Sequence, residues 1–354
     1  MIEWLRVEGV RNLGSQSVEL GAPLVLVHGC NAQGKSSLLE AAYLAATTKS
    51  FRTRDTREAI AHEQVLASVG IRLRSSEQGQ ETLTLSIARE RGEKRLRVGE
   101  YAAKLRHYLG FLPALALAAD SLPSLAGSPS ERRRFVDRAT AAARPEHLQE
   151  LAEYRRALAQ RNRLLRDGAA DAALEPWDAL LARAGDSLAR RRETHVAAWQ
   201  EHMASWPELF PEGAHSLLRY RRTTDGPLHE RLIASRREDR RAGMTLHGPH
   251  RDDLEIDTDN RNLLRFGSAG QVRSALAAIT MAQARHVRAE RDGRMPLLVL
   301  DDVDTELDIT RLTALLTGAA REAQVLAATS KPEIARHVEA RLLRVSAGRI
   351  SDGV

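Results

Sequence analysis

Residues 24–40, LVLVHGCNAQGKSSLLE, constrain this chain more than any other stretch. Leu24 to Val27 reads as a short buried strand, and an apolar-periodic helix follows from Ser36 through Leu38, Leu39 and Ala42. Between them Gly29, Gly34, Lys35 and Ser36 stand in the spacing G-x-x-x-x-G-K-S. A triphosphate needs that spacing for a physical reason. The loop must curl so that successive backbone N–H groups point inward, and glycine permits the φ values of such a curl. The helix behind it then aims its positive end at the phosphates. Lys35 is expected to reach the β/γ oxygens and Ser36 to ligate Mg²⁺, with Gly29, Cys30, Asn31, Ala32, Gln33, Gly34 and Ser37 completing the nucleotide cradle.

The chain has 354 residues, room for two or three domains. No stretch approaches the roughly 18–20 apolar residues of a membrane span. Glu3 and Arg6 sit in the first residues, which does not fit a secretory signal. The single cysteine, Cys30, cannot form an internal disulfide, in keeping with a reducing, cytoplasmic setting. Net charge is +6, carried almost wholly by arginine, since only five of 53 basic residues are lysine. That balance permits a phosphate-rich partner such as DNA without establishing one.

In order, residues 2–20 read as a hairpin around Asn12-Leu13-Gly14, and the polar, basic stretch KSFRTRDTREA follows the first helix. Residues 65–74, 82–89 and 94–99 alternate like an antiparallel meander with one charged face. A short helix near 102–109 precedes FLPALALAAD, read as a buried strand ending at Asp120, and Ser128 or Ser130 is placed to cap the next helix. Apolar residues then recur at helical spacing to about residue 203, broken at Asp167-Gly168-Ala169-Ala170-Asp171. The pattern predicts an antiparallel helical arm over 131–205, inserted into an α/β head formed by 1–130 and 206–354. Arg155, Arg156 and Arg161 on the arm are candidate DNA contacts, although a solvated charged face explains them about as well; Arg52 and Arg54 before it are candidates for touching nucleotide or DNA, with a solvated loop as the default.

Leu297 to Leu300 is an apolar strand that delivers Asp301 and Asp302 at its carboxyl end, where an α/β sheet places ligands. Asp301 is expected to hold Mg²⁺ with Ser36, and Asp302 to orient or deprotonate the attacking water. Ser268-Ala269-Gly270-Gln271 precedes a helix expected near Val272 and makes a second anion site. One triphosphate does not need two such helix ends. The economical reading is that Ser268, Gly270 and Gln271 cap the γ-phosphate held by a second copy.

The order of these motifs resembles the ABC-type ATPase heads of SMC-like proteins, and more narrowly the RecF family of bacterial recombination-repair proteins. The resemblance is carried by G-C-N-A-Q-G-K-S-S-L-L-E-A, K-S-F-R-T (49–53), G-S-P-x-x-R-R-R-F-V-D (127–137) and Q-R-N-x-L-L (160–165). It continues through G-P-H-R-D-D-L (248–254), F-x-S-x-G-Q-x-R (266–273) and L-D-D-V-x-x-E-L-D (300–308). It implies a homodimer joined by ATP, each Ser268 reaching the nucleotide on the other copy's Lys35 loop. It also implies binding to gapped duplex, to single-strand–double-strand junctions and to single-stranded DNA. RecO and RecR would be partners in loading RecA, with slow, DNA-stimulated hydrolysis driving release and no nuclease activity.

Some positions depart from the family's pattern. Ala32 replaces a usual glycine, Ala269 a usual glutamine and Asp304 an apolar residue, and only Asp120 and Leu122 remain of an S-P-E-D-L run. Ala328-Thr329-Ser330 ends a strand where transporter ATPases carry a switch histidine. The rival readings are a transporter subunit, an ATPase with a nuclease centre at His247, His250, Asp252 and Asp253, and a structural SMC-like scaffold. The His/Asp spacing matches no zinc or two-metal pattern, which favours a structural or interface role.

Overall fold

The computed structural model of the chain describes residues 1–75, 79–118, 122–209, 216–259, 261–302, 304 and 308–353. Its strands are β1 (Ile2–Glu8), β2 (Gln16–Glu19), β3 (Leu24–His28), β4 (Leu66–Ser75), β5 (Gly79–Ala88), β6 (Lys94–Val98), β7 (Tyr101–Ala102), β8 (Ala114–Leu117), β9 (Ser216–Arg221), β10 (Asp253–Thr258), β11 (Arg261–Asn262), β12 (Leu297–Leu300), β13 (Gln324–Thr329), β14 (Arg341–Ser346) and β15 (Arg349–Asp352). Its helices are α1 (Lys35–Thr47), α2 (Leu105–Leu109), α3 (Leu122–Ala126), α4 (Pro129–Ala143), α5 (His147–Arg166), α6 (Asp171–Met203), α7 (Leu228–Ala234), α8 (Arg236–Ala242), α9 (Leu263–Phe266), α10 (Ala269–Glu290) and α11 (Ile309–Glu322). Asp120, expected to end a strand, lies outside the described residues, as do His215 and Thr305 to Leu307.

The chain divides into two compact units, residues 1–122, 205–212 and 269–354 in one and 123–204 and 213–268 in the other. The first holds two six-stranded sheets, an antiparallel one in the order β2-β1-β4-β5-β6-β7 and a mixed one in the order β15-β14-β3-β13-β12-β8. Helix α1 packs against β4 and β5 of the first sheet and against β8, β12 and β13 of the second. Its sequence explains that position. Apart from Glu40, SSLLEAAYLAAT carries no charge on any face, and Leu38 through Ala46 are all buried; a helix without a polar face needs cover all round.

In the mixed sheet β3 runs parallel to both β13 and β14, and β13 parallel to β12. The phosphate loop leaves β3, Asp301 leaves β12 and Ser330 leaves β13, so all three emerge from the same carboxyl edge. Only β13 separates the strand of the loop from the strand of Asp301.

The second unit contains the antiparallel arm, with α5 and α6 joined through Asp167 to Ala170. The arm is unequal, 20 residues against 33, and α6 spans about 50 Å at 1.5 Å per residue. Leu151, Tyr154, Ala157, Leu181, Ala182, Leu188, Leu228 and Leu232 make its core. The unit extends beyond the expected 131–205. Strands β9 and β10 pair with each other, β9 packs on α6 and β10 on α4, so residues 216–262 fold with the helices and not with the nucleotide sheets.

Helix starts follow local chemistry. Pro129 opens α4, and Glu131 Oε2 accepts from the Ser128 N–H at 3.0 Å, as a capping box requires. Asp308 caps α11 by accepting from Arg311 N at 2.9 Å. Helix α10 begins at Ala269, earlier than expected, and α2 only at Leu105, because β7 occupies Tyr101–Ala102.

Candidate nucleotide site

Gly29 and Gly34 take φ values of 151° and 118°, and each is pressed from behind. A Cβ on Gly29 would meet Val345 O at 2.3 Å, and one on Gly34 would meet the Leu13 side chain at 3.0 Å. Both positions therefore need glycine. Ala32 has φ 62°, a left-handed value at which alanine is strained and glycine would not be. The loop is held from outside by residues the sequence reading passed over. Asn12 Nδ2 donates to Ala32 O at 3.1 Å, and Asn12 Oδ1 accepts from Ser37 Oγ at 2.8 Å. Gly348 N and Ala347 N donate to the Gln33 backbone and side-chain oxygens at 3.0 and 2.6 Å.

Lys35 is buried at the head of α1, and its Nζ donates to Gly29 O at 2.7 Å and Cys30 O at 3.2 Å, which holds the ammonium over the loop. Ser36 Oγ donates to Asp301 Oδ1 at 2.9 Å across 265 residues of sequence. Burial and the neighbouring Asp302 carboxylate push the Asp301 acid up to about 6, against the Ser36 hydrogen bond and the charges of Arg52 and Lys35. These hard oxygen donors, brought together at the mouth of the loop, suit a magnesium ion. A cleft of about 790 Å³ opens beside them, lined by Lys35, Ser36, Asn31, Arg11, Arg52 and Asp302 among others.

Arg11 was not anticipated. It lies in the turn of the first hairpin, and its guanidinium grips Glu40 through Nε at 2.9 Å and Nη2 at 3.0 Å. Glu40 is fully buried and also accepts from Ser50 Oγ at 2.6 Å and Arg52 Nη1 at 3.4 Å. The acidic residue of the first helix thus anchors two arginines at the cleft wall. Arg52 belongs to the nucleotide side; Arg54 is exposed on the same loop.

Ser268, Ala269, Gly270 and Gln271 are exposed at the start of the 22-residue α10. Among the described residues that line the phosphate cleft, neither Gly270 nor Gln271 appears.

On the arm, Arg155 and Arg156 are exposed, but Arg161 is not a DNA contact. It is fully buried, its Nε on Asp178 Oδ1 at 2.6 Å and its Nη1 on Asp239 Oδ2 at 2.7 Å and Thr245 Oγ1 at 2.8 Å. The GPHRDD stretch has a structural use as well. Arg132 clamps Asp253 at 2.7 and 2.6 Å, while Asp252 accepts from Tyr220 Oη and Thr223 N, both at 2.8 Å. His250 Nε2 donates to Thr245 O at 3.0 Å, so Nδ1 accepts from the Tyr154 hydroxyl at 2.6 Å, and burial pushes the ring down to about 4. His247 pairs with Arg231 at 3.0 Å. Among the described residues no group of three or more His, Cys, Asp or Glu is arranged to hold a metal, and no helix is long and apolar enough to cross a membrane.

A glycine loop after a parallel strand, a helix buried between two sheets and an acid on the strand two places away define an ABC-type P-loop ATPase head. The RecF/RecN/SMC N terminal domain model matches residues 1–350. The DNA replication and repair protein RecF of Herpetosiphon aurantiacus is 33% identical over 351 residues, covering 90% of each chain. That of Thioalkalivibrio sulfidiphilus is 34% identical over 307 residues, covering 86% of this chain and 85% of its own. The chain belongs to the RecF family. Its fold is also that of the recombination mediator protein RecF solved with ATP, with a TM-score of 0.87 at 24% identity over 100% and 97% of the two chains. An Smc head bound to the C-winged helix domain of ScpA is more distant, at 0.57 and 15% identity over 99% and 96%.

Proposed function

We propose that this protein is an ATP-dependent DNA clamp of recombinational repair. The reading rests above all on one observation: Ser36 and Asp301 meet at 2.9 Å beneath a glycine loop, while the Ser268–Gln271 stretch is presented to solvent. ATP enters the cleft with its phosphates on the N–H groups of residues 29–37 and its β/γ oxygens on Lys35. Ser36 and Asp301 would hold magnesium bound with it, which would supply positive charge to the phosphates. Asp302 orients the attacking water. Ser268, Gly270 and Gln271 complete the γ-phosphate site of a second copy, so nucleotide joins two heads and slow hydrolysis parts them.

The joined heads bind gapped duplex, single-strand–double-strand junctions and single-stranded DNA, with Arg54, Arg155 and Arg156 as candidate phosphate contacts. RecO and RecR, which the family's resemblance and the RecFOR pathway of the ATP-bound relative bring in, are the expected partners in loading RecA. The expected site of action is the cytoplasm. ATP hydrolysis measured with and without a gapped duplex, followed by electrophoresis of the DNA, tests this. Stimulated hydrolysis with intact DNA supports the clamp; cleavage, or hydrolysis indifferent to DNA, contradicts it.

A further inference from the structure

Asp304 follows Asp302 by two residues and is only 2% exposed. Its Oδ2 accepts three hydrogen bonds from the end of one strand: Thr329 Oγ1 at 2.7 Å, Ser330 N at 2.9 Å and Ser330 Oγ at 3.2 Å. Lys331 Nζ donates to the Asp304 carbonyl at 2.9 Å. A buried carboxylate is costly unless donors replace its lost water, and here, among the described residues, one strand end supplies them. Thr329 Oγ1 also accepts from Lys331 N at 2.9 Å, which ties that strand end to itself.

The strand end it grips matters. Thr329 is the register partner of His28, the last residue before the phosphate loop. Ser330 lines a second cleft together with Gly29, Cys30, Asn31 and Gln33. Ser330 therefore faces the phosphate loop on one side and is held by Asp304 through its backbone and hydroxyl on the other.

We propose that Asp304 is a positioning residue for hydrolysis: it fastens the chain leaving Asp302 to the end of β13, and so fixes the Asp302 carboxylate relative to the phosphate loop. An apolar residue at 304 packs but does not latch. The tie rests on the ATPase reading above and adds a residue to it. Because Asp304 lines neither cleft, its loss should leave nucleotide binding alone and slow the chemical step.

Steady-state ATPase, nucleotide affinity and thermal midpoint of Asp304→Ala, Asp304→Asn, Ser330→Ala and Asp304→Ala/Ser330→Ala test this. In Asp304→Ala, kcat should fall at least about tenfold while nucleotide Kd stays within about twofold. Asp304→Asn keeps an acceptor oxygen and should recover most of kcat. The double variant should be no slower than Asp304→Ala, since one tie cannot be broken twice. An unchanged kcat in Asp304→Ala while the parent hydrolyses ATP overturns this role alone. Parallel losses of kcat, affinity and thermal midpoint in all variants would mean a merely structural contact. A parent that binds but never hydrolyses ATP overturns the hydrolysis reading and Asp304 with it. Should Asp304→Ala not fold, Ser330→Ala decides: a lower kcat with nucleotide Kd unchanged supports the tie, and an unchanged kcat overturns it.

Discussion

Arginine serves opposite ends in the two units. At the nucleotide cleft Arg11 and Arg52 lean on the buried Glu40, yet the Arg52 side chain keeps 38% of its surface in the open. In the arm unit Arg161 and Arg192 are enclosed. Arg192 clasps Asp137 at 2.8 and 3.0 Å and donates to Tyr220 Oη and Pro249 O, and Asp137 also meets His147 at 2.9 Å. Burial alone would push Asp137 up, but His147 and Arg192 hold it below the usual carboxylate range. The cleft keeps part of its charge open to solvent, whereas Arg161 and Arg192 join elements of their own unit. An arginine-rich helix is therefore not by itself a DNA track.

The largest effect expected of that contrast is on stability. Arg161→Ala leaves Asp239 and half of Asp178 without a cation in a dry interior, and should lower unfolding free energy by about 3–5 kcal/mol in urea titrations. A loss under about 1 kcal/mol would place Arg161 among surface pairs after all. Next comes Lys35→Ala, which removes a charge-assisted contact and should weaken ATP binding about a hundredfold in calorimetry while leaving the thermal midpoint nearly unchanged.

A pH titration sharpens the difference further. Asp301 holds its proton to about 6, and a metal must displace it. Mg-ATP affinity should be flat above pH 7 and fall by up to about tenfold per unit below 6. Asp301→Asn should bind Mg-ATP weakly and without that step. The smallest effect concerns Ala32, whose left-handed backbone costs about 1 kcal/mol that glycine would not incur. Ala32→Gly should raise the thermal midpoint by a degree or a few, readable by calorimetry.

The phosphate loop, the Asp301 strand and the arm's turn were legible because each is written in contiguous residues. Strand, glycines, lysine and helix follow one another within residues 24–40, and the chemistry needs no distant partner. Arg161 was not legible. On α5 it has the look of any solvated helix arginine, and its acids arrive from 17 and 78 residues away. Arg11 and Asn12 were hidden by their place in a turn, where asparagine usually signals only backbone geometry. The unit boundary was missed for a related reason: β9 pairs with β10 and packs on α6, and its own residues do not name those partners. Asp304 stood out as a departure, and only the fold reveals its partners on β13.

The proposed sharing of the nucleotide site between two copies is tested most directly by mass in solution, with and without Mg-ATP and a gapped duplex, for the parent and for Ser268→Arg. A dimer that forms only with Mg-ATP, binds the duplex more tightly and is lost in Ser268→Arg is the expected result. A monomer under every condition, with ATP hydrolysis untouched by Ser268→Arg, would contradict it.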